Sequence, residues 1–590
     1  MTLETMPFQE TPFQETPFQE TPFHAGELEA QRCAGVESIA SSAGSFIRDA
    51  MPEQHRAFFA QLPFVVMAAG DAQGRPWVTL LEGDEGFIDS PDARTLRIAT
   101  TLGSQDPLAS AIVAGVDVGL LGIELATRRR NRLNGVIRAA GNGLSIEVRQ
   151  SFGNCPQYIR EREWRRVEAA ATSEATISDR LDSGQRARIA TADTFFIGSG
   201  FRPAPSNDSS DDSGSGPSPS RGYDASHRGG EPGFVQVNGN GNGTLRIPDY
   251  AGNNFFNTIG NLIQDPRVGL LFVDFETGGM LQITGRARID WAPQESQAES
   301  QEPNAKRWID VTIEQVVDRP AALALRWRRE DKALLRLTVV DKVIESDQIT
   351  SFYLADANTD ADADADAGAL PPFQAGQHLA LELEIPHQSI SNRPGRVGRS
   401  YSLSGSPSAG TYRISVKREE KGTASRFLHD RIDIGDRIAA RPPSGEFVLP
   451  HGHGPLVLVS AGVGITPMLA MLHAVVAEAE NERRPVWFVH ATRHGGTHAF
   501  RAEVEALMAR SDSVTRRVFY SEPRPSDTAG VDYDIEGRVT AGQLLALGAG
   551  PEANYLLCGP ARFIAEISAG LEDAGVAAER IGFETFGPTG

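Results

Sequence analysis

The chain has 590 residues and a formal net charge of −20 at pH 7. One hydrophobic core rarely organises so long a chain, so several domains are expected. The acidic charge argues against a nucleic-acid partner, because phosphate binding requires clustered lysine and arginine. No apolar run is long enough to span a bilayer, and no secretory leader is recognisable, so we expect a cytoplasmic protein without a membrane partner. Three scattered cysteines fit a reducing compartment and predict no metal site.

Three segments have low-complexity composition. Residues 6–22 repeat Pro-Phe-Gln-Glu-Thr, and we expect residues 1–30 to form a disordered tail. Residues 204–232 are rich in Ser, Gly, Asp and Pro, which predicts a long flexible loop. Residues 355–368 alternate Ala with Asp, and such an acidic run predicts a solvated loop between two strands.

An internal repeat occupies residues 55–295. Three pairs of segments match at offsets of 149 or 150 residues: 95–98 with 244–247, 117–121 with 267–271, and 133–138 with 283–288. Self-similarity at a constant offset is strong evidence for duplicated structure. Within each copy, short apolar strands alternate with turns, which predicts two small β-barrels over residues 31–175 and 176–317.

Three phrases in the second copy carry a family resemblance: residues 226–230, 247–253 and 257–262. They make the pattern similar to the split barrel of the pyridoxamine 5′-phosphate oxidase-like family. Members usually dimerise and hold FMN between two barrels. Two barrels in one chain could form that dimer internally, as a monomeric pseudo-dimer, and a homodimer is the alternative. Two working sites, or one barrel reduced to scaffold, both agree with the sequence.

The resemblance implies FMN, although the cations that usually hold its phosphate are missing. Residues 250–257 and 100–105 contain no Arg or Lys where the family has them. Arginines of residues 128–132 could reach the phosphate across the pseudo-dimer, but this charged run is more typical of a solvated face. The phosphate contacts are therefore assigned to Arg228, Asn254, Asn257 and Thr258.

Two further domains are expected after a linker. Residues 318–332 contain helix formers with Pro320 near the start, which predicts a linking helix. Residues 333–450 are expected to form an antiparallel barrel. Residues 451–590 change to an α/β pattern, beginning with the continuous apolar strand 455–460 that is typical of a parallel sheet. The predicted fold class is thus multidomain β and α/β.

Five motifs follow one another in this last part of the chain. They are Arg399-Ser400-Tyr401-Ser402, Gly422-Thr423-Ala424-Ser425, Gly462-Val463-Gly464-Ile465-Thr466-Pro467, Cys558-Gly559-Pro560 and Phe583-Glu584-Thr585-Phe586-Gly587-Pro588. Their order resembles the ferredoxin-reductase family, most closely the reductase module of flavohaemoglobins and ring-hydroxylase reductases. The resemblance implies an FAD-dependent NAD(P)H oxidoreductase whose flavin takes hydride from the nicotinamide and passes electrons on.

The residue types suit these ligands. Arg399 offers a planar cation for a diphosphate. Residues 422–425 open a predicted helix, and a helix N-terminus suits pyrophosphate. Gly462 and Gly464 stand at a strand-to-helix turn, where backbone amides can approach a phosphate. Arg493 could meet a 2′-phosphate, but a lone loop arginine is more often surface charge, so NADH and NADPH both stay open.

The family assigns further roles to residues of these motifs. Ser402 would lie near the flavin N5, with Tyr401 against the ring and Phe447 near the adenine. Thr466 and Cys558 would frame hydride transfer. Glu584 and Phe586 would lie beside the flavin. The remaining motif residues expected at the cofactors are Ser400, Ile465, Pro467, Gly559 and Pro560.

Three hypotheses for the whole chain follow. In the first, electrons pass from FAD to an acceptor at or near the split barrels, with FMN as a candidate carrier. In the second, the protein is a diaphorase or flavin reductase whose barrels are scaffold. In the third, the barrels dock a partner such as a ferredoxin. The acceptor would be a small molecule or a small redox protein.

Overall fold

A computed structural model describes most of the chain. The described residues are 22–37, 40, 44, 47–153, 158–168, 174–201, 222–238, 243–291, 302, 305–329, 334–357, 370–385, 395–420, 422–450, 452–478 and 484–585. The predicted tail up to residue 21 lies outside them, as does most of each predicted loop. Among the described residues, no helix has both the length and the apolar composition needed to cross a bilayer.

Two antiparallel sheets occupy the first half of the chain. The first contains β1 (Phe64–Gly70), β2 (Pro76–Glu82), β3 (Ile88–Asp92), β4 (Thr95–Ile98), β5 (Asp117–Glu124), β6 (Arg129–Ala140) and β7 (Leu144–Gly153). The second contains β9 (Thr176–Ser178), β10 (Thr194–Phe201), β11 (Gly222–Gly229), β12 (Gln236–Asn238), β13 (Thr244–Asp249), β14 (Arg267–Val273), β15 (Met280–Asp290) and β16 (Arg307–Arg319).

The strand order confirms the predicted repeat. It is β2-β1-β5-β6-β7-β4-β3 in the first sheet and β11-β10-β14-β15-β16-β13-β12 in the second, with β9 added beside β16. Each sheet encloses its own apolar core. The predicted loop 204–232 ends too late, because residues 222–229 form strand β11, which pairs with β10 over its whole length.

The two barrels pack against each other with approximate twofold symmetry. Gly119 on β5 lies so close to β11 that a Cβ atom there would be 2.6 Å from the Asp224 Cα. Its repeat partner Gly269 on β14 is equally close to β2, where a Cβ would be 2.7 Å from the Pro76 carbonyl oxygen. Only glycine permits such backbone approaches. The interface between them is apolar and includes Val66, Val78, Phe196 and Leu271.

Among the described residues, four helices accompany these barrels: α1 (Ala25–Ala34), α2 (Glu53–Ala60), α3 (Ser183–Thr191) and α4 (Asn257–Gln264). The expectation that residues 22–30 belong to a disordered tail is wrong, because α1 begins at Ala25. His24 caps this helix by accepting the Gly26 N–H, and Glu27 accepts the His24 N–H. The helix then packs on α4, where Gly26 and Gly260 bring the two backbones together.

The prediction of a linker helix over residues 318–332 is also wrong. Residues Leu325–Arg329 form strand β17, which pairs with β8 (Arg162–Arg166). Leu325 and Trp327 are buried, whereas Arg326 and Arg328 point outward. This alternation is that of a strand, and it fastens the segment to the split barrels.

A third antiparallel sheet follows, as predicted. It contains β18 (Leu335–Ile344), β19 (Ile349–Asp356), β20 (His378–Ile385), β21 (Gly395–Ser402), β22 (Tyr412–Lys417) and β23 (Arg437–Ala440), in the order β21-β20-β23-β18-β19-β22. Helix α5 (Thr423–Arg431) follows β22 and covers the apolar core of this sheet. Leu428 of the helix is part of that core. We call this unit the third barrel.

The last unit is the predicted α/β domain. Its parallel sheet contains β24 (Leu456–Ala461), β25 (Val486–Thr492), β26 (Val514–Tyr520), β27 (Ile535–Glu536), β28 (Asn554–Gly559) and β29 (Ile581–Thr585), in the order β27-β26-β25-β24-β28-β29. Its helices are α6 (Ile465–Val476), α7 (Arg501–Met508), α8 (Ala541–Leu545) and α9 (Ala561–Asp573). Apolar clusters cover both faces of the sheet.

Two ion pairs join the first split barrel to the C-terminal half. Arg48 donates to both carboxylate oxygens of Glu572, at 3.0 and 2.8 Å. Arg129 Nε lies 2.6 Å from Glu446 Oε2. The two halves of the protein are therefore in direct contact.

Candidate functional site

The first candidate site lies where the third barrel meets the α/β domain. Ser402 ends β21, and its hydroxyl donates to Glu584 Oε2 at 3.2 Å. Glu584 is on β29, directly opposite Cys558 in the parallel ladder with β28. Three of the predicted motifs thus meet at one point, although up to 182 residues separate them in the sequence.

Burial disfavours the charged forms of the two titrating groups at this point. Burial raises the pKa of Glu584 to about 7, and the hydrogen bond from Ser402 opposes that rise. Burial also raises the pKa of the Cys558 thiol well above its ordinary value, with a smaller contribution from Glu584. A fully buried neutral thiol is a poor nucleophile, so Cys558 contributes shape rather than covalent chemistry.

The rest of the β21 motif is partly exposed beside Ser402, and Tyr401 packs against the core of the third barrel. Arg399 and Ser400 are exposed, and Arg399 Nη1 donates to the Gly398 carbonyl at 2.8 Å. Tyr401 is half-buried, and burial raises its pKa to about 12, so it is a neutral phenol. These side chains leave a cation, a hydroxyl and an aromatic ring on one accessible strand.

Helix α5 packs against β20 and β22 of the third barrel. Gly422 is its N-cap residue, and Thr423 and Ala424 form its first turn. The Ser425 hydroxyl accepts the Glu419 N–H at 3.2 Å and is also 3.5 Å from the Gly422 carbonyl. It therefore closes the turn, and a pyrophosphate contact at this motif rests on the backbone amides of the helix N-terminus.

The glycine-rich turn joins β24 to α6. A Cβ atom at Gly464 would collide with the Cys558 carbonyl, so this glycine lets the turn lie against β28. Gly462 has φ +56°, and nothing lies within 4 Å of the place where a Cβ would project. Its backbone is open to a phosphate. Thr466 is 2% exposed and donates to the Val463 carbonyl at 3.0 Å, between buried Ile465 and Pro467.

The remaining predicted residues belong to the same two domains. Phe447 packs against the core of the α/β domain. Gly559 ends β28, and Pro560 is the N-cap residue of α9. Phe586 lies outside the described residues. The exposed arginine, two open helix or turn N-termini and the buried carboxyl beside Ser402 suit a flavin dinucleotide with a nicotinamide partner, so the residues present fit FAD.

The second candidate site is a cavity of about 340 Å³ between the split barrels, which we call the twin-barrel cavity. All four residues predicted to hold a phosphate line it: Arg228, Asn254, Asn257 and Thr258. Asn257 and Thr258 begin helix α4, and Arg228 is on β11. The volume is in the range of sites that hold one small ligand or cofactor.

Cations dominate the wall of this cavity. Arg228 and Arg307 share one carboxylate: Arg228 pairs with Asp249 Oδ1, and Arg307 Nε is 3.2 Å from Asp249 Oδ2. Within the described part of the chain, Arg228 Nε and Arg307 Nη1 have no hydrogen-bond partner. Buried donors without partners are costly. An anionic ligand would supply the missing charge, so these residues fit FMN.

The arginine run of the first barrel is not a solvated face. Arg130 and Arg132 on β6 both line the twin-barrel cavity, and Arg132 is 9% exposed. Arg130 Nη1 lies 3.2 Å from His227 Nδ1, across the barrel interface. The expectation of a solvated run is therefore wrong, and the alternative of arginines reaching across the pseudo-dimer agrees with the structure.

Sequence reasoning missed several cavity residues. His227 follows Ser226 on β11, and burial, followed by the nearby arginines, lowers its pKa well below the ordinary value. Tyr158 and Tyr250 stack at 5.1 Å between ring centroids. The other residues missed are Cys33, Phe256, Trp291, Lys306 and Arg307. Of these residues, His227 and Tyr250 carried a signal in the sequence, because they lie in the family-like segments 226–230 and 247–253.

The symmetry-related position in the first barrel is built differently. By strand register, Leu80 and Leu81 replace His227 and Arg228. Gln282 takes the place of Arg132 in the repeat, and it lies 3.4 Å from buried Asp106. Asp106 also accepts from Arg319 at 2.5 Å. A closed polar cluster therefore occupies the place where the other side has an open cationic cavity.

Three family models match parts of this chain. They are pyridoxamine 5′-phosphate oxidase over residues 51–168, the oxidoreductase FAD-binding domain over residues 366–449, and the oxidoreductase NAD-binding domain over residues 458–569.

In the described residues, no group of His, Cys, Asp or Glu side chains could hold a metal ion.

Curated relatives and solved structures were also compared. A flavohemoprotein from Deinococcus radiodurans is 44% identical over 252 residues, which are 42% of this chain and 59% of that protein. One from a Burkholderia species is 41% identical over 251 residues, 42% of this chain and 58% of that protein. The FAD/NAD-binding domain of a Vibrio cholerae nitric oxide dioxygenase is 31% identical, with a TM-score of 0.37. The match includes 43% of this chain and 99% of that domain.

The chain spans less than two thirds of the length of these flavohemoproteins. Both predicted resemblances are confirmed by the family models, which fall on the first split barrel, the third barrel and the α/β domain. The chain thus carries a pyridoxamine 5′-phosphate oxidase-type split barrel ahead of the FAD-binding and NAD-binding domains of a ferredoxin-reductase-type oxidoreductase.

Proposed function

We propose that the protein oxidises NAD(P)H at the cleft between the third barrel and the α/β domain, and delivers the electrons to FMN in the twin-barrel cavity. The observation that carries this proposal is the meeting of Ser402, Glu584 and Cys558, because each belongs to a motif expected beside the flavin. The FAD would supply the redox chemistry by accepting a hydride and giving up electrons.

The residues of the cleft bind and orient. Arg399 would pair with the diphosphate of the dinucleotide, together with the N–H groups at the start of α5. The open backbone at Gly462 would admit the phosphates of the nicotinamide nucleotide. Cys558 would pack beside the nicotinamide as a neutral thiol.

Ser402 and Glu584 have a different task. The Ser402 hydroxyl is a donor that can turn from Glu584 toward a ligand acceptor atom at the same position. Glu584, with a pKa of about 7, can hold or release a proton at its carboxyl near neutral pH. The pair would thus control hydrogen bonding where the hydride arrives.

The twin-barrel cavity would hold the second flavin through its phosphate. Arg228 and the N-terminus of α4 at Asn257 and Thr258 supply donors from the second barrel. Arg130 and Arg132 supply cations from the first. Because the position related by symmetry is closed by Asp106 and Arg319, we expect one FMN in each chain.

Cofactor extraction tests this proposal. Purified protein should release one FAD and one FMN per chain, and adding NADH should bleach both. Arg228→Gln should lose FMN and keep FAD. The matched control is Arg288→Gln, since Arg288 is an exposed arginine of the same barrel, paired with Asp310. FAD alone in the wild type would contradict the FMN site and favour a diaphorase with scaffold barrels.

A further inference from the structure

Helix α1 forms part of the wall of the twin-barrel cavity. Cys33 and Ala34, at the end of this helix, line the cavity, as does Val36 just after it. The helix is held close to α4 by the Gly26–Gly260 contact. The helix that begins inside the segment expected to be a tail therefore ends at the site.

Glu27 in the first turn of α1 is buried behind the cavity, with 5% of its surface exposed. Its Oε1 accepts from Asn257 Nδ2 at 2.6 Å, and its Oε2 accepts the His24 N–H at 2.9 Å. On the other side, the Asn257 Oδ1 accepts from Arg132 Nη1 at 3.1 Å. Glu27 and Arg132 thus fix which way the Asn257 amide points.

The network closes under the N-terminus of α4. Arg132 Nη1 donates to Asp224 at 3.1 Å, and Ser226 donates to Asp224 at 2.9 Å. Ser226 is in turn 3.0 Å from the Thr258 hydroxyl. Asn257 and Thr258, the first two residues of α4, are therefore both positioned by this buried chain of contacts.

The charge of this network depends on Glu27. Arg132 and Asp224 balance each other, so the network is neutral when Glu27 is protonated. Ionised Glu27 adds a negative charge, and the ionisable base next to it in the described part of the chain is His24, whose Nε2 lies 3.7 Å from Glu27 Oε2 and whose pKa burial lowers, so that it brings no compensating charge near neutral pH. That charge would oppose any anion bound at the start of α4.

We propose that Glu27 is a positioning residue of the twin-barrel cavity, which orients Asn257 for a phosphate-bearing ligand and weakens the binding of that ligand when it loses its proton. This inference rests on the proposed function, since it assumes that a phosphate binds at Asn257 and Thr258.

The surroundings of Glu27 place this proton loss near neutral pH. Burial raises the pKa of Glu27 to about 8. The hydrogen bonds from the His24 N–H and from Asn257 lower this pKa. The negative charge of Asp224 raises it, and the positive charge of Arg132 lowers it. The other titrating groups that face it are His24, which burial keeps largely neutral, and Tyr223 on β11. An adjoining polar cavity of about 20 Å³ is large enough for one water molecule. Such a water would give the proton a way out.

The test measures FMN affinity against pH in the full-length protein freed of flavin. Between about pH 7 and pH 9, we expect the wild-type affinity to fall about fivefold, the result of an anion that raises the pKa of Glu27 by about one unit. Glu27→Gln should abolish this fall. Glu29→Gln on the same helix, an exposed residue paired with Arg32, should retain it. A Cys33→Ser background removes the thiol at the cavity as a second titrating group.

If the FMN affinity of Glu27→Gln falls with pH as it does in the wild type, the inference about Glu27 is overturned, and the proposed FMN site still stands. No binding of FMN to the wild type at any pH would overturn both the inference and the FMN part of the proposed function. If Glu27→Gln does not fold, calorimetry of the wild type in two buffers of different ionisation enthalpy decides the question. FMN binding near pH 8 should take up a fraction of a proton, and no uptake would contradict the proposal.

Discussion

Arg129 Nε lies 2.6 Å from Glu446 Oε2, and the next residue of the same strand, Arg130, lines the twin-barrel cavity. Neighbouring residues of a strand are about 3.3 Å apart. Strand β6 therefore touches the third barrel at one residue and the cavity at the next. The ion pair lies beside Phe447, a residue of the proposed FAD site, so it joins the two proposed flavin sites by a short path.

Reversing this charge should slow electron delivery. In Arg129→Glu, the attraction to Glu446 becomes a repulsion, and loss of a half-exposed pair costs about 1 kcal/mol of docking energy, or about fivefold in the docked population. Stopped-flow spectroscopy should show slower bleaching of the second flavin after NADH is added, with unchanged bleaching of the first. The double variant Arg129→Glu/Glu446→Arg should restore the rate. No recovery in the double variant would assign the effect to the lost stacking of Arg129 on Phe58 instead.

The hydride-transfer rate should depend on the protonation of Glu584. Its pKa of about 7 means that the carboxyl is neutral below that pH and ionised above it. An ionised carboxylate opposes the arrival of negative charge with the hydride, so the rate of NADH oxidation should fall as the pH rises through 7. Ser402→Ala removes the hydrogen bond that lowers this pKa, and the midpoint should move to higher pH. Glu584→Gln should give a flat profile.

The same group contributes to stability with a defined sign. Its pKa is raised from 4.5 in the unfolded chain to about 7. The folded protein therefore binds the proton more tightly, and this contribution is complete below pH 4.5 and lost as the pH rises through 7. Gln resembles the protonated carboxyl, so denaturant titrations of wild type and Glu584→Gln should differ least in acid, and the wild type should lose stability relative to the variant as the pH rises through 7. A constant difference would contradict the assignment.

The reductase half was largely predictable because its motifs carry local signals. Gly464 and the turn around it could be placed from the apolar strand before them and the helix after them. Ser402 and Glu584 were each expected at the flavin, so the family resemblance anticipated that they would meet. Their contact forms only in the tertiary structure, and no local sequence pattern specifies the 3.2 Å hydrogen bond between them.

Three errors in the split barrels have a common cause. Strand β17 contains residues with good helix propensity, but pairing with β8 over five residues overrides that preference. Strand β11 follows a Ser- and Gly-rich segment, and its small residues conceal the alternation of a strand. Helix α1 follows a repetitive segment and depends on a contact with Gly260. In each case a distant part of the chain decides the structure.

For the same reason, the sequence did not predict which strand residues line the twin-barrel cavity. Arg130, His227 and Arg307 come from three separate strands, and only the packing of one barrel on the other brings them together. The sequence did predict the α4 end of the site, because Asn257 and Thr258 lie in one continuous phrase.

Gly464→Ala should disturb the nicotinamide site and the stability of the α/β domain together. The added methyl group meets the Cys558 carbonyl and backbone, which cannot move without shifting β28. Overpacking of this kind typically costs about 1–3 kcal/mol. Thermal unfolding should show the loss, and the KM for NADH should rise. Gly454→Ala is a control for glycine replacement in general, since a Cβ there has nothing within 4 Å and its φ, like that of Gly464, lies outside the left-handed region. Equal effects of both variants would contradict the role assigned to the collision with β28.

The two symmetry-related positions of the split barrels should respond in opposite ways. Asp106 is completely buried and pairs with Arg319, so Asp106→Ala leaves a buried cation without its partner. Loss of one member of such a pair typically costs about 3–5 kcal/mol. Urea unfolding should show this loss, while the protein that remains folded should still contain one FMN per chain. The matched control is Asp290→Ala, which removes a half-exposed partner of Arg246 and should cost no more than about 1 kcal/mol.

Arg228→Gln should give the reverse pattern, with FMN lost and stability reduced far less than in Asp106→Ala. Arg228 shares Asp249 with Arg307, so removing one of these two cations leaves the carboxylate paired. Its main contribution should therefore be to an anionic ligand rather than to the fold. Two FMN molecules per wild-type chain, or loss of FMN in Asp106→Ala with Arg228→Gln unaffected, would show that the closed cluster of Asp106 and Arg319 is itself a flavin site.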